Sequence, residues 1–136
     1  MKKSSVNVIR KMVNTKSRWL WSAVGQARNR ANDAQGRIKE FAIGIYYWAY
    51  SDLAQIAGIS PVKLPDKELT VERIDAEIQK IKRKINTRLK RIGEMGKDEV
   101  MKILLAMERI LAIGRGEDPW QAVDTLETNL LAKGLL

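Results

Sequence analysis

Apolar side chains recur at steps of three and four along the first third of the chain. The positions are Val6, Ile9, Val13, Leu20, Val24, Ala27, Ala31, Ala34, Ile38, Phe41, Ile45 and Trp48, with Ser17 filling one slot. That spacing places them on one face of a helix. The phase holds from about residue 5 to residue 50, which would be roughly 70 Å of straight helix at 1.5 Å per residue. A helix of that length must bend or serve an extended assembly. Gly25, Gly44 and the NDAQG segment (32–36) are the weak points, and we expect two helical pieces with a bend or break near 32–36. In the middle of the stripe, alanines replace large residues, so Ala27, Ala31 and Ala34 should let another surface approach closely. Residues 41–50, FAIGIYYWAY, are apolar nearly all round. This pattern predicts burial, in a core or at a subunit interface.

Two prolines and a glycine in GISPVKLPDK (58–67) mark a connection. Thr70 then reads as an N-cap with Glu72 in the first turn, and Val71, Ile74, Ile78, Ile81, Ile85, Leu89 and Ile92 line one helical face. Gly93 is the expected stop. A third helix begins near Asp98. From Val100 to Ile113 only Lys102, Glu108 and Arg109 are charged, so this helix should lie at the centre of a bundle. Gly114 and Gly116 end it. Asp118 caps a last helix with Pro119 at its first position and Gln121 at the capping-box position. Its buried stripe is Trp120, Val123, Leu126 and Leu130, and Gly134 closes it. No strand pattern competes. The expected fold is all-α: a long basic N-terminal helical arm (1–57), a Pro/Gly loop (58–69) and a C-terminal three-helix region (70–136), in a single folding unit.

Charge changes this picture from a plain bundle to a polarised one. Residues 1–40 carry 10 basic and 2 acidic groups, residues 41–97 carry 11 and 7, and residues 98–136 carry 4 and 7. No acid occurs before Asp33. The whole chain of 136 residues has a formal net charge of +9. A basic N-terminal part of this kind suits a polyanion, and the C-terminal part a different task.

The chemistry that remains is narrow. There is no cysteine and no histidine, which excludes disulfides, thiolate and imidazole catalysis and most zinc sites. No Gly-rich phosphate loop, GxSxG or spaced acidic cluster is present, so we expect no enzyme, no catalytic residues, no cofactor and no metal. No secretory leader is evident, and the apolar runs fall short of the ~18 residues that would span a bilayer.

Two basic segments are candidates for nucleic acid. Arg10, Lys11, Lys16, Arg18, Arg28, Arg30, Arg37 and Lys39 can reach phosphates from the N-terminal helix, with Asn14, Asn29 and Asn32 as neutral donors. Residues 79–91, QKIKRKINTRLKR, hold seven basic groups and no acid, and Lys80, Lys84, Arg88 and Arg91 recur at helical spacing. A third feature, LAQIAGIS (53–60), resembles the turn of a helix-turn-helix. A regulator reading the duplex through 53–64 is therefore the alternative, although Pro65 would break a recognition helix within a turn. A basic helix gripping an acidic protein is a further class.

About a third of the chain goes into the basic arm, which suits a protein that coats nucleic acid in many copies. In this plan the chain resembles the small all-α major coat proteins of filamentous archaeal viruses. That resemblance implies paired subunits, of this chain or with a paralogous one, in a helical assembly. Their N-terminal helices would wrap double-stranded DNA, held in A form. It also implies a virion location, with assembly in the host cytoplasm, and allows contact with a lipid envelope without a membrane span.

Overall fold

The apolar segment around Val100 to Ile113 organises the molecule. In the computed structural model, which describes residues 2–136, it forms the central helix of an all-helical bundle. Six α-helices follow in order: α1 (Lys2–Ser17), α2 (Leu20–Asp33), α3 (Arg37–Ala57), α4 (Val71–Lys90), α5 (Lys97–Arg115) and α6 (Pro119–Ala132). Helix α5 packs against α1, α2, α3 and α6, and α4 closes the bundle over α3. Met107, Ile110, Leu104 and Ile103 of α5 are buried with almost no exposure. None of the described helices is long and apolar enough to cross a membrane.

The N-terminal basic segment lies inside this arrangement. Helices α1 and α2 run parallel to α5, with Arg10 beside Met95, Lys16 beside Glu108, and Arg30 at the C-terminal end of α5. It is thus not an arm set apart from the bundle: Ile9, Val13, Leu20, Val24, Ala27 and Ala31 share one core with α5. The closest approach falls just beside the stripe, at Ala23. Gly114 of α5 meets Ala23 of α2 so closely that a Cβ on Gly114 would lie 2.7 Å from the Ala23 Cα.

The segment is broken in two places. Gly36, at φ 63°, turns the chain between α2 and α3 within the expected 32–36 region, and α3 folds back along α2. The second interruption, at Arg18 and Trp19, was not visible in the pattern because the apolar phase carries straight from Ser17 to Leu20. Gly25 and Gly44 sit inside continuous helices.

Helix ends follow local chemistry. The Thr70 hydroxyl accepts the Arg73 N–H at 3.1 Å, and the Asp118 carboxylate accepts the Trp120 N–H at 2.9 Å. Helix α3 ends with Gly58 at φ 75°, and the Ile59 N–H donates to the Ala54 carbonyl at 3.0 Å, closing a Schellman turn. One expected stop is different: α4 ends at Lys90, and Gly93 lies within a 3₁₀ turn (Ile92–Glu94) rather than at a left-handed cap. Tyr47 and Tyr50 of α3 fasten the following loop. The Tyr47 hydroxyl donates to the Val62 carbonyl at 2.7 Å, and the Val62 N–H donates to the Tyr50 hydroxyl at 2.9 Å. Residues 60–65 form no helix, so no recognition helix follows LAQIAGIS, and that stretch is a helix end and its cap.

Burial of residues 41–50 is divided. Tyr46, Ala49 and Tyr50 are buried, whereas Phe41 is 71% exposed and Trp48 40%. Trp120, expected on the buried stripe of α6, is 53% exposed and lies edge-on to Trp48, with ring centroids 5.1 Å apart. The physical reason is the reversal at Gly36. The stripe before it faces α5, but after it the same phase leaves Ile38 and Phe41 exposed in an open groove lined by the ends of α2 and α5 and the first turn of α6.

Candidate nucleic-acid interface

Two acid-free segments meet at Trp21. The Trp21 indole N–H of α2 donates to the Asn86 side-chain oxygen of α4 at 3.1 Å. The Lys82 ammonium lies 4.8 Å from the centroid of the same indole ring, a cation–π contact. This contact joins α2 to α4. Lys11 and Arg18 are exposed in the N-terminal segment, and Arg83, Lys84, Lys90 and Arg91 are exposed in the second. Residues 5–32 and 79–91 contain no carboxylate to offset them.

The sequence-derived cations divide into two groups. Six have partners within the molecule. Arg10 donates to the Met95 carbonyl at 2.8 Å, Lys16 pairs with Glu108 at 2.5 Å, and Lys80 pairs with Glu77 at 3.0 Å. Arg88 pairs with Glu99 at 3.1 Å. Arg30 donates to the Ile113 carbonyl at 2.9 Å, and Lys39 donates to the Ala31 and Asn32 carbonyls at 3.2 and 3.1 Å. The last two place positive charge on the open carbonyls at the C-terminal ends of α5 and α2, where the helix dipole favours it. The other six are Lys11, Arg18, Arg28, Arg37, Lys84 and Arg91. Arg28 is half-buried against α3, close enough to Tyr46 to oppose part of the upward shift of its hydroxyl. Arg37 opens α3, one residue before Ile38.

The structure also brings in residues that the spacing argument passed over. Trp21 lies off the central stripe, yet it is half-buried at the seam. Lys82 and Asn86 are one turn apart on α4, on the side that meets α2. Lys82, Arg83 and Lys90 belong to the same acid-free run as Lys84 and Arg91, and that run was the available signal.

Buried charge elsewhere is structural. Asp52 of α3 accepts from Arg109 of α5 at 3.0 Å. Burial pushes its carboxyl above the usual range, and Arg109 opposes that. Tyr46 donates to Asp75, and burial, then this hydrogen bond, drives its pKa far upward. Glu77 is held below the usual carboxylate range by Arg73 and then Lys80. These pairs join α3 to α5, join α3 to α4 and secure the first half of α4, while residues 5–32 and 79–91 hold cations and no carboxylate. No protein-family model, curated protein or solved structure matches this chain.

Proposed function

We propose that the chain is a non-enzymatic structural protein that coats double-stranded DNA, as the capsid subunit of a filamentous virus does, and that it resides in the virion after assembly in the host cytoplasm. The observation that carries this reading is the seam at Trp21. Two acid-free basic segments, far apart in sequence, are joined there by the Asn86 hydrogen bond and the Lys82 contact. We read the exposed cations of the two segments, Lys11 and Arg18 in one and Arg83, Lys84, Lys90 and Arg91 in the other, as one phosphate-binding set. Such a set neutralises backbone phosphates and releases their counterions, which gives affinity without reading bases.

The rigid setting favours coating over a flexible tether, because α1 and α2 are anchored along α5 and cannot reach independently. A regulator working through 53–64 would need a helix after Ser60, where the chain forms none. Electron microscopy of the protein mixed with linear duplex at low salt tests the proposal. Continuous protein-coated filaments on unrelated duplex sequences are the expected result. Discrete particles at one preferred sequence, or no binding at low salt, would refute it.

A further inference from the structure

DNA coating leaves one feature unused, the groove at the α3 and α6 end. Ile38, Phe41, Trp48 and Trp120 are exposed there and line an open space of about 820 Å³. That volume lies in the range of small-molecule sites. The Trp48 and Trp120 rings stand 72° apart with centroids at 5.1 Å, so they form two adjoining walls, and Phe41 lines the same space. The faces of such rings carry partial negative charge, which attracts an organic cation and leaves an organic anion unfavoured.

We propose that this groove binds a small organic ammonium with an apolar body, held by the aromatic faces and by the Asp33 carboxylate. The charges along the groove decide the sign of the ligand. Among the described residues, Arg30 is the only cation that lines it, and that guanidinium already donates to the Ile113 and Gly114 carbonyls. Glu117 pairs with Arg115, and Asp118 caps α6. Asp33 is the one lining charge left without a partner among the described residues. It is also the last residue of α2, where a carboxylate opposes the helix dipole. The fold thus gains nothing from this acid, whereas a cation in the groove would.

The net charge of +9 does not forbid a cationic ligand. Repulsion from distant cations is screened beyond about 8 Å at physiological salt. The wall supplied by α6 and the end of α5 belongs to the part of the chain, residues 98–136, in which 7 acids outnumber 4 bases. Arg37 stands next to Ile38 without lining the groove, and Glu40, one turn on, carries the opposite charge. The inference does not rest on the DNA reading, because the groove shares no residue with the contact among Trp21, Lys82 and Asn86.

Titration of nuclease-treated protein, followed through its tryptophan indole N–H signals by nuclear magnetic resonance, tests it. Three probes share one body and differ in charge: phenylbutyltrimethylammonium, phenylbutanol and phenylbutyrate. The ammonium should shift the Trp48 and Trp120 signals, leave those of Trp19 and Trp21 in place, and bind with a Kd of roughly 0.1–1 mM, as expected for a ligand of its size. The alcohol should bind about 5-fold more weakly, and the carboxylate more weakly still. Asp33→Asn should lower ammonium affinity by roughly 3-fold and leave alcohol affinity unchanged, the effect of an exposed charge pair. Trp48→Leu should lower ammonium affinity by about 5-fold or more. Asp33 and Trp48 are both exposed, so helical content by circular dichroism should stay at the wild-type level in each variant. Equal binding of ammonium and alcohol would overturn the proposal, as would an Asp33→Asn variant with wild-type ammonium affinity. Shifts confined to Trp19 and Trp21, or no shift at about ten times the expected Kd, would overturn it as well.

Discussion

Individual side chains here are decided by the distance between backbones. Ala23 and Gly114 are small because α2 and α5 touch at that level, with no room for one more carbon. Gly114→Ala should therefore cost about 2 kcal/mol and lower the melting temperature by roughly 5–10 °C, as overpacking of a tight contact does. Gly25→Ala is the matching control. Its added carbon would meet nothing nearer than an Arg28 side-chain nitrogen at 3.8 Å, so the better helix former should hold or raise the melting temperature. Equal losses at the two sites, read by thermal denaturation, would contradict the close approach. The in-phase run of Ala27, Ala31 and Ala34 made a thin helix face legible, but the contact itself falls at Ala23, outside that run. It did not reveal that Gly114 was the opposing surface. Glycine after an apolar helix reads as a stop, and only the parallel course of α2 and α5 turns it into a packing position.

At the level of elements, cations that look alike in sequence do different work. Arg30 lies over the open carbonyls of α5 and Lys39 over those of α2, whereas Arg18 has no partner among the described residues. Arg30→Met should destabilise the fold by about 1 kcal/mol, a modest value because the side chain is largely exposed, and should leave DNA affinity nearly unchanged. Arg18→Ala should leave the melting temperature within about 2 °C of wild type and weaken DNA binding. Measuring both properties for both variants separates capping from contact, and the reverse assignment would refute it. Spacing alone could not make this distinction, since a C-terminal carbonyl and a DNA phosphate attract the same side chain. The helix signals were clearer: Thr70 and Asp118 cap as their positions suggest, because capping depends on three or four adjacent residues. The interruption at Arg18 and Trp19 left no trace, because the apolar phase continues across it.

The whole molecule is polarised. The acid-free segments of α2 and α4 meet at Trp21, and Ile38, Phe41, Trp48 and Trp120 line a groove at the α3 and α6 end. The helical class and the central position of α5 were legible from periodicity and from the low charge of 100–113. The joining of residues 18–28 to residues 79–91 was not, because the contact between Trp21 and Asn86 spans 65 positions and has no local signature. Nor was the exposure of Phe41, since a stripe that keeps its phase gives no sign that the chain has reversed between its two halves. The central claim is that the seam binds duplex phosphates as a unit. Its most direct test is the slope of log affinity against log salt for a duplex of arbitrary sequence. The slope should be about −0.9 per phosphate neutralised. A variant with Arg18, Lys82, Arg83 and Lys90 all changed to alanine should give a slope shallower by roughly 2–4 units, at unchanged helical content. An unchanged slope in that variant would contradict the account.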